Sequence, residues 1–212
     1  MLTASELLRR GHHREVWAKY CGFLDLTLPG FMAIQERLLL EQLSLLARSG
    51  SILGTKFLPR KAPVSIQSFR ESVPVTTYED YEEYLDERRE EVLPEPPVTW
   101  GHTSGRSGRF KWFPYTRRAF EGLGERVLAG VILGAARWKG DVRLRPKDVL
   151  VYNTPPRPYF SGLTLRALAE QFDFRFVPSL EVTEQLSFQE RIEHGFQTGL
   201  VTGIDVLGSI AV

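Results

Sequence analysis

Apolar positions in the first half of the chain follow a helical period. Residues 3–20 predict a helix that opens with a capping box, because the side chains of Thr3 and Glu6 can each accept from the other residue's backbone N–H. Between residues 28 and 50, apolar side chains recur every three, four and seven positions, which predicts a longer helix ending at Gly50. Residues 51–67 are rich in turn-formers and predict a connection.

An acidic segment follows this connection. Thr77 and Asp80 form a second capping-box pattern, which predicts a helix that ends before the prolines at 94–97. Tyr78, Tyr81 and Leu85 are spaced to form its buried stripe, so we expect its carboxylates to form a solvated face. The alternative is that these carboxylates hold a metal or a substrate.

The second half of the chain alternates strand-like and helix-like segments. The predicted extended segments are 98–102, 110–115, 148–154, 174–178 and 199–204. The predicted helices are 117–140 after Thr116, 161–172, and 187–196 with a capping box from Ser187 to Glu190. Strands separated by helices favour βαβ units and a parallel sheet. The predicted fold is α/β, with a helical lead-in (residues 1–97) and a largely parallel sheet (residues 98–212) within one compact unit.

Composition and charge disfavour some classes of function. The chain has 212 residues, with 27 Lys and Arg against 26 Asp and Glu, so its formal charge is only +1. Such a balance gives no general attraction to phosphate backbones or anionic lipid, so we expect neither nucleic acid nor membrane as a partner. One cysteine, Cys21, excludes an internal disulfide and favours a reducing compartment, the cytoplasm.

The last residues, 201–212, read as strand, turn and the start of another helix, without a polar end. This pattern predicts that the natural chain continues beyond Val212 and that the 212 residues are the incomplete N-terminal part of a domain. A truncated domain would expose apolar surface, through which the chain could oligomerise.

The segment Thr103-Ser-Gly-Arg-Ser-Gly-Arg-Phe-Lys111 is the main candidate for chemistry. Glycines allow successive backbone N–H groups to converge, hydroxyls add neutral donors, and a lysine can neutralise phosphate. The segment is not a Walker loop, because its two glycines are three apart and its lysine does not follow a glycine. Taken alone, it is either a flexible strand connection or a phosphate-binding loop.

Three ordered motifs resemble a known family. The run TSGRSGRFK resembles the phosphate loop [ST]-S-G-[TS]-[TS]-G-x-x-K of the adenylate-forming superfamily. SFRESVPVTTYEDYEEYL before it and KWFPYTRRAF at its end are similar to the segments that flank this loop in the auxin-responsive acyl-acid amido synthetases and their bacterial relatives. The opening WAKYCGFLDLTLPGFMAIQERLL also resembles bacterial members.

The resemblance implies an ATP-dependent ligase. A substrate carboxylate would attack the α-phosphorus of ATP, pyrophosphate would leave, and an amine or thiol would take the acyl group from the acyl-adenylate, with Mg²⁺ as the usual companion of ATP. Thr103, Ser104 and Ser107 would donate to the phosphates, Gly105 and Gly108 would allow close approach, and Lys111 would occupy the motif's lysine position. No side chain of the loop is expected to form a covalent intermediate, so the catalytic residues stay unknown.

This sequence departs from the family pattern in two respects. Arg106 stands where the motif has Thr or Ser. Its side chain could either bind phosphate through two hydrogen bonds or fill the space that the phosphate would occupy. The family's adenine and ribose contacts, hinge and mobile C-terminal domain lie downstream of residue 212, so we expect the 212 residues alone not to complete the reaction. The alternative function is a non-catalytic binding or assembly module that retains the scaffold.

The remaining candidates each have a structural explanation beside the functional one. His12, His13 and His194 are expected at the surface, and His102 is either a satisfied strand-end histidine or an anion donor. Cys21 is expected to be a buried thiol. The aromatic side chains of residues 112–115 would pack on the core rather than stack on a substrate, and residues 152–157 leave a predicted strand where open α/β sheets bind ligands.

Overall fold

The computed structural model describes residues 2–60, 62–105 and 108–208. Within these residues the chain is mixed α/β. The α-helices are α1 (Ala4–Arg9), α2 (His13–Cys21), α3 (Leu28–Ser49), α4 (Ile52–Phe57), α5 (Ile66–Ser72), α6 (Glu82–Leu85), α7 (Arg117–Ala135), α8 (Phe160–Gln171), α9 (Leu180–Thr183) and α10 (Phe188–Thr202). The strands are β1 (Thr99–His102), β2 (Trp112–Tyr115), β3 (Val149–Tyr152), β4 (Arg175–Val177) and β5 (Val206–Gly208). Short 3-10 turns lie at Gly22–Asp25, Tyr78–Asp80 and Glu90–Val92.

The chain forms two compact units. One comprises Met1–Gly22 and Arg118–Val212, and the other comprises Phe23–Arg117. The helices α1 and α2 therefore belong to the unit that contains the parallel sheet, while the hairpin β1–β2 belongs to the unit that contains α3. The predicted boundary between residues 97 and 98 lies inside the second unit.

A three-stranded parallel sheet forms the centre of the first unit. The strand order is β4-β3-β5, with Leu150 of β3 opposite Phe176 on one side and Val206 on the other. All four residues of β3 are buried, as expected for a strand covered on both faces. The parallel βαβ arrangement is therefore confirmed for these three strands, but the second sheet is an antiparallel hairpin of β1 and β2.

The N-terminal lead-in contains two helices where the sequence predicts one. The capping box is confirmed, since Thr3 N donates to Glu6 Oε2 at 2.7 Å and Glu6 N donates to Thr3 Oγ1 at 3.2 Å. Gly11 then adopts φ +77°, a left-handed conformation that glycine accepts without strain and that ends α1. Val16, Trp17 and other residues of both helices join the core of the first unit.

The long helix α3 is confirmed, but two short helices, α4 and α5, interrupt the predicted connection over residues 51–67. Thr27 caps α3 by accepting from Gly30 N, and Gly50 ends it at φ 63°. The serines that suggested a connection act as helix caps: Ser51 begins α4 and Ser65 begins α5. Short polar residues at helix starts were thus mistaken for loop residues.

The predicted acidic helix is also wrong in its continuity. Thr77 and Asp80 do form a capping box, with Thr77 N donating to Asp80 Oδ2 at 2.8 Å. Only a 3-10 turn and the four-residue helix α6 follow, and Arg88 then adopts φ 55°. Some carboxylates of this segment contact residues distant in the chain, as described below, and do not simply face solvent as predicted.

At the C-terminal end, the predicted strand over residues 199–204 is wrong. Residues 199–202 complete α10, whose capping box between Ser187 and Glu190 is confirmed. Gly203 ends the helix with φ 84°, and the strand β5 starts only at Val206. The apolar residues Leu200 and Val201 thus lie on an exposed helix surface rather than in a sheet.

No helix in the described part of the chain combines the length and the apolar character needed to cross a membrane.

Close packing of α7 against α8 depends on one glycine. A Cβ atom on Gly124 would overlap the backbone carbonyl of Ala167, which cannot move without shifting α8. Gly130, on the same helix, is exposed and has no neighbouring atom in the way of a Cβ. Alanine substitutions at these two positions therefore distinguish the effect of helix propensity from that of packing.

We expect Gly124→Ala to lower the free energy of unfolding by about 1 to 3 kcal/mol, the cost of overpacking. Gly130→Ala is the matched control and should raise it by roughly 0.5 to 1 kcal/mol, because alanine loses less backbone entropy in a helix. Urea unfolding followed by circular dichroism measures both. Equal effects at the two positions would contradict the packing described here.

Candidate functional site

The loop at residues 103–111 connects the two strands of the hairpin. His102 of β1 lies opposite Trp112 of β2, so the loop starts and ends at the same point of the sheet. Thr103 N donates to Lys111 O at 3.1 Å, and Lys111 N donates to Thr103 Oγ1 at 3.2 Å. The ends of the loop are therefore fixed by the hairpin rather than by the loop's own composition.

Two glycines shape the loop between these ends. Gly105 has φ +68° and Gly108 has φ +97°, conformations that residues with a side chain adopt only under strain. Gly108 N donates to Gly105 O at 2.8 Å. Arg106 and Ser107, two of the predicted phosphate contacts, lie outside the described residues.

The loop offers fewer backbone donors than the sequence suggests. The amides of Thr103, Gly108 and Lys111 donate within the loop itself. Those of Ser104 and Gly105 donate to no acceptor among the described residues, and the Ser104 side chain is exposed. The Arg109 amide donates to no described acceptor either. These three amides, the hydroxyls of Thr103 and Ser104 and the ammonium group of Lys111 are therefore among the described groups that could receive an anion.

Aromatic packing supports the loop from inside. His102 is 5% exposed, and its ring centroid lies 4.2 Å from that of Phe110 and 4.7 Å from that of Trp112. A Cβ atom on Gly105 would lie 2.8 Å from the Phe110 ring, so this ring covers the glycine. The His102 Nδ1 atom lies 2.7 Å from Thr103 O, which agrees with a satisfied histidine at a strand end.

Residues 78–86, here called the acidic turn, hold the other side of the hairpin. Arg109 pairs with Glu82 and with Asp86, the latter at 3.2 Å. The Tyr78 hydroxyl donates to Asp86 Oδ1 at 2.6 Å and accepts from Trp112 N at 2.8 Å. One hydroxyl thus joins the acidic turn to the backbone of β2.

The electrostatics of this contact keep Tyr78 protonated. Burial raises the pKa of the Tyr78 hydroxyl to about 12, and its hydrogen bond to the Asp86 carboxylate acts in the same direction. The hydroxyl therefore stays a donor to Asp86 at neutral pH, and the bridge to Trp112 persists.

Lys111 is held only loosely. Its Nζ lies 4.0 Å from Glu79 Oε1 and 5.2 Å from the centre of the Tyr78 ring, and 38% of its side chain is exposed. A pair between exposed charges contributes about 0 to 1 kcal/mol, so Lys111 can exchange Glu79 for a stronger anion at little cost.

The sequence missed the residues that position the loop. Arg109 occupies a variable place in the motif, and Asp86 belongs to a predicted solvated face, yet both join the contact with Tyr78. Arg109 lies 3.2 Å from Asp86 in space but 23 residues from it along the chain, so this contact leaves no spacing pattern in the sequence.

No group of three His, Cys, Asp or Glu side chains in the ranges 2–60, 62–105 and 108–208 could hold a metal ion.

The other candidates lie where a structural role accounts for them. Cys21 is fully buried, and burial raises the pKa of its thiol. His13 Nδ1 lies 3.2 Å from Val142 O, and His12 Nδ1 lies 2.5 Å from Glu15 Oε1. Of the aromatic residues in β2, Phe113 is 39% exposed and lies against Tyr78 with 5.9 Å between ring centres, so this strand is only partly covered.

Fold and loop together define a class: an α/β protein with a hydroxyl-rich and glycine-rich hairpin loop that ends in lysine. Residues 25–166 match the model of the GH3 family N-terminal domain, which is about two thirds of the chain. The chain therefore belongs to the GH3 family, the auxin-responsive acyl-acid amido synthetases whose motifs it resembles. No curated protein and no solved structure matches it.

The match contains the acidic turn, the hairpin with its loop, α7 and β3. The helices α1 and α2, the strand β5 and the helix α10 lie outside it. The candidate loop and the residues that position it are therefore parts of the family's domain.

We expect Tyr78→Phe to lower the free energy of unfolding by about 1 to 2 kcal/mol, because Asp86 and the Trp112 amide both lose a partner in a half-buried place. The Trp112 amide should also exchange its hydrogen faster in hydrogen–deuterium exchange. Tyr84→Phe is the control, since the Tyr84 ring packs against Lys56 and its hydroxyl bonds no described residue. Unchanged exchange at Trp112 would show that the Tyr78 bridge does not hold the hairpin.

Proposed function

We propose that this chain provides the ATP-phosphate-binding part of an adenylate-forming ligase that joins an acyl acid to an amine or a thiol. The observation that carries the proposal is the loop at 103–111 within the family match, with exposed Ser104 and two amides that have no internal acceptor. Membership of an amido synthetase family favours an amine over a thiol as acceptor.

In this proposal the loop acts on the β- and γ-phosphates. The hydroxyls of Thr103 and Ser104 and the amides of Ser104 and Gly105 donate to phosphate oxygens, and Lys111 neutralises the charge that grows as pyrophosphate leaves. Ser107 and Gly108 complete the motif. Mg²⁺ arrives on the nucleotide and supplies further charge neutralisation. The substrate carboxylate attacks the α-phosphorus in line with the departing pyrophosphate.

The acidic turn has a supporting part in this chemistry. Carboxylates near a polyphosphate repel it, but the positive charge of Arg109, shared between Glu82 and Asp86, offsets one of their two charges. The same contacts hold the loop in position before the nucleotide arrives. Because folding already orients the loop, less conformational entropy is lost when the nucleotide binds.

A non-catalytic binding or assembly module is the second candidate, favoured by a specific observation. Three loop amides, those of Thr103, Gly108 and Lys111, donate within the loop and are not offered to a ligand in this conformation. If the Arg106 side chain occupies the phosphate-binding space, the loop keeps its shape but does not bind a nucleotide. The two candidates differ in what Arg106 does.

Isothermal titration of the 212-residue chain with ATP and Mg²⁺ tests the proposal. We expect binding weaker than micromolar, without pyrophosphate release, because the loop contacts only the phosphates of the nucleotide. Lys111→Met should weaken binding about tenfold or more, since a hydrogen bond to a charged group contributes about 1.5 to 3 kcal/mol. Lys147→Met, which removes an exposed lysine paired with Asp173, is the control.

Arg106→Thr restores the residue type of the family motif and separates the two candidates. Binding that appears only in this variant supports the module, and binding that is lost supports a phosphate clamp. Absence of ATP binding in the parent chain and in Arg106→Thr would overturn the ligase proposal. Submicromolar binding or pyrophosphate release would instead contradict the expected weak binding without reaction.

A further inference from the structure

Positive charge is concentrated in two short segments of the chain. Residues 9–14 and 137–147 together contain eight Lys and Arg and one acidic residue, Asp141. The whole chain has a formal charge of only +1, so the rest of it carries an excess of acidic residues. Charges in salt solution act over about 10 Å, so a large partner responds to this local excess more than to the net charge that argues against a membrane.

The two segments lie side by side in the unit that contains the parallel sheet. The His13 Nδ1 atom lies 3.2 Å from Val142 O. Arg9 and Lys147 both pair with Asp173, with Lys147 Nζ at 2.8 Å from it. These contacts join α1 and α2 to the second segment. The positive charges of both segments therefore share one surface, here called the basic surface.

The core of the unit supports this surface from below. Val142 and Leu144 are buried in that core, and Arg143, Arg145 and Lys147 alternate with them at exposed positions. The charged side chains are therefore presented by backbone that packs on the core.

Most cations of the basic surface have no carboxylate partner. Asp173 is shared by Arg9 and Lys147, and Glu15 contacts His12. Five exposed arginines of this surface form no ion pair among the described residues: Arg10, Arg14, Arg137, Arg143 and Arg145. Like charges repel one another, so a partner that carries opposite charge would bind here favourably.

An exposed tryptophan lies in the second segment. Asp141 closes a turn there, because its carboxylate accepts from Arg137 N at 3.0 Å and its own N–H donates to Trp138 O at 3.2 Å. Residues 137–140 are all exposed, and Trp138 is 66% exposed. Its indole N–H donates to no acceptor among the described residues. An indole has an apolar ring and a polar N–H, which suits a place that is apolar on one side and wet on the other.

We propose that the basic surface binds the anionic headgroups of a phospholipid bilayer, with the Trp138 ring entering the headgroup region. The guanidinium groups suit phosphate oxygens, since each can donate two parallel hydrogen bonds. Each cation near an anionic bilayer strengthens binding about fivefold, and tryptophan is enriched at the membrane interface. This binding requires neither ATP nor the loop at 103–111, so it is independent of the proposed function.

A single-stranded nucleic acid and an acidic protein fit this surface less well. Nucleic-acid binding by stacking uses several aromatic side chains, and Trp138 is the only Phe, Tyr or Trp in the two segments. A protein interface has a desolvated apolar centre, whereas the exposed neighbours of Trp138 are Arg137, Lys139 and Gly140. A bilayer surface needs only positive charge and one amphipathic ring.

The test is co-sedimentation of the 212-residue chain with vesicles at low ionic strength. Vesicles of phosphatidylcholine and phosphatidylglycerol in equal parts are the probe, and vesicles of phosphatidylcholine alone are the zwitterionic comparison. We expect an affinity for the anionic vesicles about tenfold or more above that for the zwitterionic ones, and this difference should fall as NaCl is added.

Matched variants distinguish the basic surface from the net charge. The double variant Arg143→Gln, Arg145→Gln should bind anionic vesicles roughly 25-fold more weakly, about fivefold for each cation. The control is Arg60→Gln, Arg70→Gln, which removes the same charge from exposed positions of the other unit and should leave binding unchanged.

The fluorescence of Trp138 gives a second readout. Brominated lipid quenches a tryptophan that enters the bilayer, so the parent chain should lose fluorescence in brominated anionic vesicles. Trp138→Phe should still bind, because phenylalanine keeps an apolar ring, but it should lose most of this quenching. Trp100→Phe, in the other unit, is the control and should retain it.

Equal binding to the two kinds of vesicle overturns the inference, as does equal loss of binding in the two double variants. Binding to a single-stranded oligonucleotide or to polyglutamate without binding to anionic vesicles also overturns it. Quenching that survives Trp138→Phe contradicts the entry of this ring. If circular dichroism shows that the variant at 143 and 145 does not fold, the double variant Arg10→Gln, Arg14→Gln carries the decision. Vesicle binding without ATP binding supports this inference and removes the ligase proposal, and the reverse result removes this inference alone.

Discussion

The Tyr78 hydroxyl connects the two parts on which the candidate loop depends. It donates to Asp86 in the acidic turn and accepts from the Trp112 amide at the start of β2. Because Trp112 lies opposite His102, this hydroxyl fixes the base of the hairpin where the loop begins and ends. Arg109 adds a charged contact from the loop to Glu82 and Asp86. The conformation of the loop is therefore set by contacts that a bound phosphate would not replace.

The sequence predicted features that local rules determine and missed those that depend on distant partners. Capping boxes at Thr3, Thr77 and Ser187 were confirmed because the two residues of each box lie three apart in the chain. The loop at 103–111 could be found from its glycines and hydroxyls. Its supports could not, since Tyr78 and Arg109 meet only after the hairpin packs on the acidic turn.

The pairing of Arg109 with Glu82 and Asp86 has a consequence for sequence variation in the family. A chain that loses the arginine leaves two carboxylates without a counter-charge close to the loop, and a chain that loses the carboxylates releases a cation into it. Loss of the arginine together with one carboxylate preserves the local net charge, whereas loss of the arginine alone does not. Arg109 should therefore change together with Glu82 or Asp86 when orthologous sequences are compared, although none of the three touches the nucleotide in the proposed site.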